Sequence, residues 1–417
     1  IAVPLIVGNG MSTAAALFGA GVGTFVYLLF TKFKSPVFLG SSFAFIGSMN
    51  AAFAGAVSVQ AGFAGLLIGA ILAGLVYAII AIVVKKAGVS WIDKLMPPVV
   101  IGPTVAIIGL SLASSAIGNL SKSDVTGGTT NFAVLCGLVA LIATTLASTY
   151  GKKYTKMIPF IIGILSGYAL AAVLTLIGNA TGVESLMISD FSAFTNLASG
   201  GVTLSTFFSV PDFTFLTAAK GFSQVDAGYI GTVAVAYIPV AFVVFAEHIA
   251  DHKNISSIIE KDLLKDPGLD RTLLGDGIGS IVGAFFGGCP NTTYGESVAC
   301  VAITKNASVA TIITAAIECI ILAFISPIVA FISSIPSCVM GGVCMALYGF
   351  IAVSGLKMVQ KVDLEQNKNL FVVSSILIAG IGGLQLSFGK ITITSIACAL
   401  ILGIIVNKLL SKDPSAK

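Results

Sequence analysis

Pro290-Asn291-Thr292-Thr293-Tyr294-Gly295-Glu296 interrupts an otherwise apolar tract, between the runs 278–288 and 298–303. A carboxylate is costly at membrane depth and marks a functional site there. The Pro, Gly and hydroxyl residues beside Glu296 point to backbone that is locally not helical. Lipid-embedded chains tolerate such backbone only where protein or a water-filled cavity satisfies the freed N–H and C=O groups. A transporter's substrate site has this character.

The reading at membrane depth follows from composition. Of 417 residues, 56% are hydrophobic and 10% charged, and the mean hydropathy is +1.04. That is too little charge to cover a water-soluble globule of this size, so the chain is a polytopic membrane protein. Apolar runs of about 17–25 residues suit helices crossing a hydrocarbon core of about 30 Å, not the short alternating strands of a barrel. The net charge of +4 carries no nucleic-acid signal. The seven cysteines lie mostly inside apolar runs without a C-x-x-C or other metal spacing, so they read as small buried hydrophobes, and no cofactor or metal is expected. The run 1–8 opens without Met and reads as the remnant of a cut span.

The runs fall near 1–8, 12–30, 35–52, 63–84, 97–117, 131–149 and 158–178, then near 227–250, 273–288, 290–304, 307–327, 335–355, 369–387 and 391–409. Fourteen spans are expected, seven on each side of a weakly polar connection at 179–226, with a cytoplasmic tail at 411–417. Cations test this division, because cytoplasmic loops are the basic ones. Lys32, Lys34, Lys85, Lys86, Lys94, Lys152, Lys153 and Lys156 fall on one side. Lys253, Lys261, Lys265, Arg271, Lys305, Lys357, Lys361, Lys368, Lys408, Lys412 and Lys417 join them, and only Lys122, Lys220 and Lys390 fall opposite. Both termini are therefore expected in the cytoplasm. Seven spans followed by seven give the second half, 227–410, an orientation inverted relative to the first, 1–178.

The halves also share an irregularity. Ser35-Pro36-Val37-Phe38-Leu39-Gly40-Ser41-Ser42-Phe43 opens the third span of the first half as Cys289 to Glu296 opens the third of the second. Paired Gly/Pro-interrupted segments at corresponding places point to a binding site, while two ordinary loop-to-helix entries would read the same way.

The eighth span runs into Glu247, His248, Asp251 and His252. Glu247 and Asp251, spaced i, i+4, share one helical face and make a pair able to bind polar ligand edges and exchange a proton. Alternatively the membrane part of this helix ends at Ala246 and all four residues sit in water. His248 points about 100° away from Glu247, which makes it a structural or supporting group. Glu318, alone in an apolar run, is expected to face the bundle interior. Asp190, Asp226 and Asp276 lie near expected helix starts and read as caps or solvated groups. Trp91, among Lys85, Lys86 and Lys94, reads as an interfacial anchor.

Ala246-Glu247-His248, Asp266-Pro267-Gly268-Leu269 and Asn291 to Glu296 resemble the bacterial uracil permease branch of the nucleobase/ascorbate transporter (nucleobase:cation symporter) family. Leu39 to Phe45, Met340-Gly341-Gly342 and Tyr348-Gly349 match as well, so the likeness covers essentially the whole chain. It implies an all-α polytopic fold of 14 transmembrane segments in two inverted repeats, with short strands in spans 3 and 10 and separate core and gate domains. It implies a secondary transporter of the bacterial cytoplasmic membrane, surrounded by lipid and with a homodimer as its candidate assembly, that imports uracil by proton symport, with H+ the coupling ion. Substrate contacts would fall on Glu247, Glu296, Phe43, Ser42, Tyr294 and Gly295. Uracil offers two N–H donors and two carbonyls, which carboxylates and backbone N–H groups answer.

Proton coupling would fall on Asp251, His248, His252 and Tyr348. Two departures from the family pattern stand out: Ser297, Ala299 and Thr304-Lys305 replace its usual Asn, Gly and Thr-Arg, and Asp251 stands where well-known uracil carriers have His. A purine or xanthine carrier, or an anion exchanger or channel of the same architecture, is the alternative. No Ser/His/Asp or H-E-x-x-H pattern supports an enzyme.

Overall fold

A computed structural model describes residues 2–88, 91, 97–152, 154–388 and 391–411, without the side chains of Ala198, Glu296, Ile391 and Thr392. Lys94, Lys153, Lys390, Lys412 and Lys417 from the cation count lie outside the described residues, as does the tail from 412.

In chain order the helices are α1 (Ala2–Val7), α2 (Thr13–Phe30), α3 (Ile46–Ala54), α4 (Val59–Ala87), α5 (Pro98–Ser111), α6 (Ala113–Leu120), α7 (Asn131–Tyr150), α8 (Pro159–Thr181), α9 (Ser192–Ala198), α10 (Leu204–Phe207) and α11 (Thr214–Ala219). After the connection come α12 (Ala227–Ile259), α13 (Leu269–Gly287), α14 (Gly295–Thr304), α15 (Val309–Leu322), α16 (Ser326–Ser333), α17 (Ser337–Val359), α18 (Asn367–Ile381) and α19 (Ser395–Leu410). Strands β1 (Leu39–Ser41), β2 (Asn291–Thr293), β3 (Leu386–Phe388) and β4 (Ile391–Ile393) form two antiparallel pairs.

The fold is thus mainly helical. Among the described residues, seven helical stretches are long and apolar enough to cross a membrane. The other segments expected to cross are shorter or broken. Run 35–52 is β1 followed by the nine-residue α3, and run 290–304 is β2 followed by the ten-residue α14. Pro36 and Pro290 lack the N–H a helix needs, and Gly40 and Gly295 weaken helical preference, so local chemistry favours this split.

The chain forms two compact units, Ile1–Ile108 with Val210–Phe324 and Ser354–Lys417, and Gly109–Ser209 with Ile325–Val353. In the first, α13 packs closely on α2 and α4. A Cβ at Gly23 would meet the Gly279 carbonyl at 2.8 Å, and one at Gly74 would meet the Gly277 carbonyl at 2.9 Å. Small residues let helix backbones approach in this way where lipid supplies no hydrophobic drive. Thr24 Oγ1 then accepts from Leu39 N at 3.0 Å, which fixes β1 against α2.

In the second unit α7 and α8 pair through Gly163 and Gly167, which face Ala140, Cys136 and Thr144. The Asp124 carboxylate holds the start of α17, accepting from Ser337 N at 2.7 Å and Ser337 Oγ at 2.6 Å. A cavity of about 170 Å³ opens beside α6 and α17, lined almost wholly by apolar groups such as Leu110, Ile117 and Met345, with Tyr348 on its wall.

Candidate functional site

The first unit brings the two broken segments together. β1 and β2 pair antiparallel with Leu39 opposite Thr293, Gly40 opposite Thr292 and Ser41 opposite Asn291. Ser42 N adds a bond to Pro290 O at 2.9 Å. All six strand residues are buried, and the ladder answers backbone groups that a broken helix leaves open.

Tyr294, which follows β2, folds its ring over Gly40 and donates from its hydroxyl to Ser41 O at 2.7 Å. Only glycine fits there, because any Cβ at position 40 would overlap that ring. Asn291 Nδ2 donates to Gly19 O at 3.0 Å and anchors the other end of β2 on α2. Helix α14 starts at Gly295, so the first-turn N–H groups of Gly295 and Glu296 have no intrahelical acceptors. The Glu296 side chain lies outside the described residues.

Helix α12 supplies the charged face. Asp226 caps its start, accepting from Tyr229 N at 2.6 Å, while Asp190 is exposed and accepts from Ser192 N just ahead of α9 without being its N-cap. Further along α12, His248, Asp251 and His252 are buried and Glu247 is half-buried. These residues are not a solvated helix end. Asp251 Oδ2 accepts from Thr293 Oγ1 at 2.9 Å, and Asp251 Oδ1 lies 3.6 Å from where a Cβ on Gly295 would stand. Glu247 lies one turn earlier on the same face of α12. The half-buried Phe43 follows β1, beside the buried Ser42. Phe43, Ser42, Glu247, Asp251, Tyr294 and Gly295 thus belong to one unit, while Tyr348 belongs to the other.

Three expectations are corrected. Asp276 caps nothing. The turn at Pro267-Gly268 lets α13 begin at Leu269, four residues before the apolar run, so Asp276 sits inside the helix, 1% exposed. Its Oδ2 lies 2.7 Å from His248 Nδ1. Glu318 does not face the bundle interior but lies exposed on α15. Of the cysteines, Cys300 is exposed and Cys319 half-buried, while the remaining five are buried.

The histidines form a second network. Thr272 Oγ1 donates to Leu269 O, so it accepts from His248 Nε2, and one proton lies between His248 Nδ1 and Asp276 Oδ2. His252 Nδ1 donates to the His248 carbonyl at 2.8 Å, and its Nε2 lies 2.7 Å from Tyr27 OH. Tyr27 in turn lies 2.7 Å from Ser35 Oγ. The rings stack with centroids 4.0 Å apart. The i, i+4 rule that paired Glu247 with Asp251 pairs these histidines too, and it is the sequence signal for them. For Asp276 the signal was Gly275-Asp276-Gly277 within an apolar run.

Two kinds of comparison bear on this arrangement. The family model described as "Permease family" (Xan_ur_permease) matches residues 1–388. The uracil permease of Bacillus subtilis (strain 168) is 38% identical, covering 100% of this chain and 89% of that protein. The uracil permease of Escherichia coli (strain K12) is 34% identical, covering 96% and 86%. In structure, the transmembrane domain of a cyanobacterial bicarbonate transporter, BicA, superposes with a TM-score of 0.58 at 14% identity over 97% of this chain and 92% of that one. At that identity the likeness concerns the fold alone.

Proposed function

Since this chain belongs to the permease family, we propose that it carries uracil across the bacterial cytoplasmic membrane, by proton symport and with alternating access of a core against a gate domain. The observation that carries the reading is the β1–β2 pair, assembled from two breaks some 250 residues apart and backed by the carboxylates of α12. The curated relatives named uracil permeases support the choice of substrate.

Both N–H groups, one carbonyl and the ring face of the substrate have counterparts here. Glu247 and Glu296 accept from the two N–H groups, and the first-turn N–H groups of α14 answer a carbonyl. Phe43 packs against the pyrimidine face. Asp251 takes the coupling proton, one turn from Glu247, and His248 and His252 support that role. Fourteen crossings in two inverted repeats place both termini in the cytoplasm and give the two breaks their symmetric positions.

Binding to purified protein tests the reading. Removing a carboxylate that accepts from a ligand N–H costs about 1.5–3 kcal/mol. Glu247→Ala and Glu296→Ala are each expected to weaken uracil binding by about 10- to 100-fold. Normal binding by both variants, or displacement by xanthine and not by uracil, overturns it.

A further inference from the structure

Thr292 sits in the middle of β2, opposite Gly40. Successive strand side chains point to opposite faces. Thr293 turns its hydroxyl to Asp251, whereas Thr292 stands beside the Asp276 carboxylate and the Tyr77 hydroxyl. Thr292 Oγ1, Asp276 Oδ1 and Tyr77 OH are all buried, and none makes a hydrogen bond among the described residues. Three unsatisfied buried oxygens from β2, α13 and α4 gathered in one place are costly, and they complement one another: two hydroxyl donors and one carboxylate acceptor.

We propose that Thr292 is the positioning residue that couples the substrate-binding strand to protonation of Asp276. A hydroxyl donates one hydrogen bond and accepts others. With Asp276 ionised, Tyr77 donates to Thr292 and Thr292 donates to Oδ1. With a proton on Oδ1, that O–H donates to Thr292 Oγ1 and Thr292 donates to Tyr77. One proton gained at Oδ1 therefore reverses the row of three and leaves no oxygen in it unpaired.

The other carboxylate oxygen is already committed to His248. A ligand that pulls on Tyr294 or Gly295 moves a strand of only three residues, and Thr292 with it.

The ionisable groups around the Asp276–His248 pair are His252 from α12, Tyr77 from α4 and Tyr27 from α2, with Glu247 and Asp251 on the neighbouring face of α12. His252 does not extend the row, because the stacked rings share no hydrogen bond and His252 Nδ1 is spent on a backbone carbonyl.

The inference rests on the uracil reading for its transport arm only. In detergent without substrate, infrared difference spectra against pH resolve the protonated-carboxyl band of Asp276, identified by its loss in Asp276→Asn. Thr292→Val is expected to shift that band in frequency and in the pH at which it appears, while Thr292→Ser keeps the wild-type band.

In liposomes, Thr292→Val is expected to bind uracil within about threefold of wild type yet lose about tenfold of the accumulation driven by a pH gradient. Thr292→Ser restores accumulation. An unchanged band in Thr292→Val, or a wild-type pH profile of uptake, overturns the coupling role. A wild-type protein that ignores uracil overturns the substrate reading instead and leaves the spectroscopic arm to decide the role of Thr292.

Discussion

In the first unit, α12 buries His248, Asp251 and His252 within five residues and meets β2, one strand of the irregular pair, at Thr293. In the second, α7 and α8 meet through Gly163, Gly167, Ala140 and Cys136, and the cavity beside α17 is walled almost wholly by apolar groups. Each arrangement is stable in its own way. Polar networks specify one geometry only while every member is satisfied, whereas small-residue packing needs no partner of matching charge. A chain that must bind and release a polar solute concentrates its polar groups in one place and leaves the rest close-packed and apolar.

The sharpest way to break this contrast is to remove one partner of the buried pair. Asp276→Ala leaves His248 Nδ1 facing an emptied pocket. Loss of one member of a buried pair costs about 3–5 kcal/mol, so the apparent unfolding midpoint in detergent is expected to fall by more than for any single change in the second unit. A shift matching that of a surface substitution would show that the His248–Asp276 contact contributes nothing to the fold.

Asp276 also marks the limit of what the residues alone disclose. Periodicity gives the face a side chain occupies on its own helix, and it placed Glu247 with Asp251 on one face; that face is buried against β2. It does not say which helix packs against which, so the pairing of His248 with a residue 28 positions away was not legible. The apolar run begins at Leu273, but α13 starts four residues earlier, with Asp270 and Arg271 half-buried in its first turn, and that earlier start carries Asp276 into the interior. Hydropathy errs wherever a helix starts before its apolar stretch does. The two breaks were legible because Pro and Gly act locally, while their register, Gly40 opposite Thr292, depends on the Tyr294 ring lying over Gly40.

That register gives a second, smaller effect. Gly40→Val forces a side chain into the Tyr294 ring and breaks its bond to Ser41 O. Overpacking of this kind costs about 1–3 kcal/mol. Uracil affinity is expected to fall by about 10- to 100-fold, since Tyr294 leads directly into the α14 start. Gly342→Val, where a Cβ would overlap the Gly137 backbone in the second unit, is expected to lower stability comparably and keep affinity within about threefold. If both glycine variants lose affinity equally, the division of labour between the units is wrong.

The smallest effect probes a charged contact inside the second unit. Asp124 receives two hydrogen bonds from Ser337, one from the backbone N–H and one from the hydroxyl, at the start of α17. It does for α17 what Asp226 does for α12, but from a distant loop instead of from the adjacent residue. A helix start leaves donors that a carboxylate satisfies and a macrodipole that it complements. Asp124→Ala removes both, at a cost of about 1 kcal/mol. Asp124→Asn keeps an acceptor and should recover part of that loss. The apparent midpoint of Asp124→Ala is expected to drop modestly while the affinity for uracil and the pH profile of uptake stay unchanged, because no titratable group of the α12 network belongs to this unit. A changed pH profile in Asp124→Ala would mean that the two units share the coupling proton, and the contrast drawn between them would fail at its most conservative point.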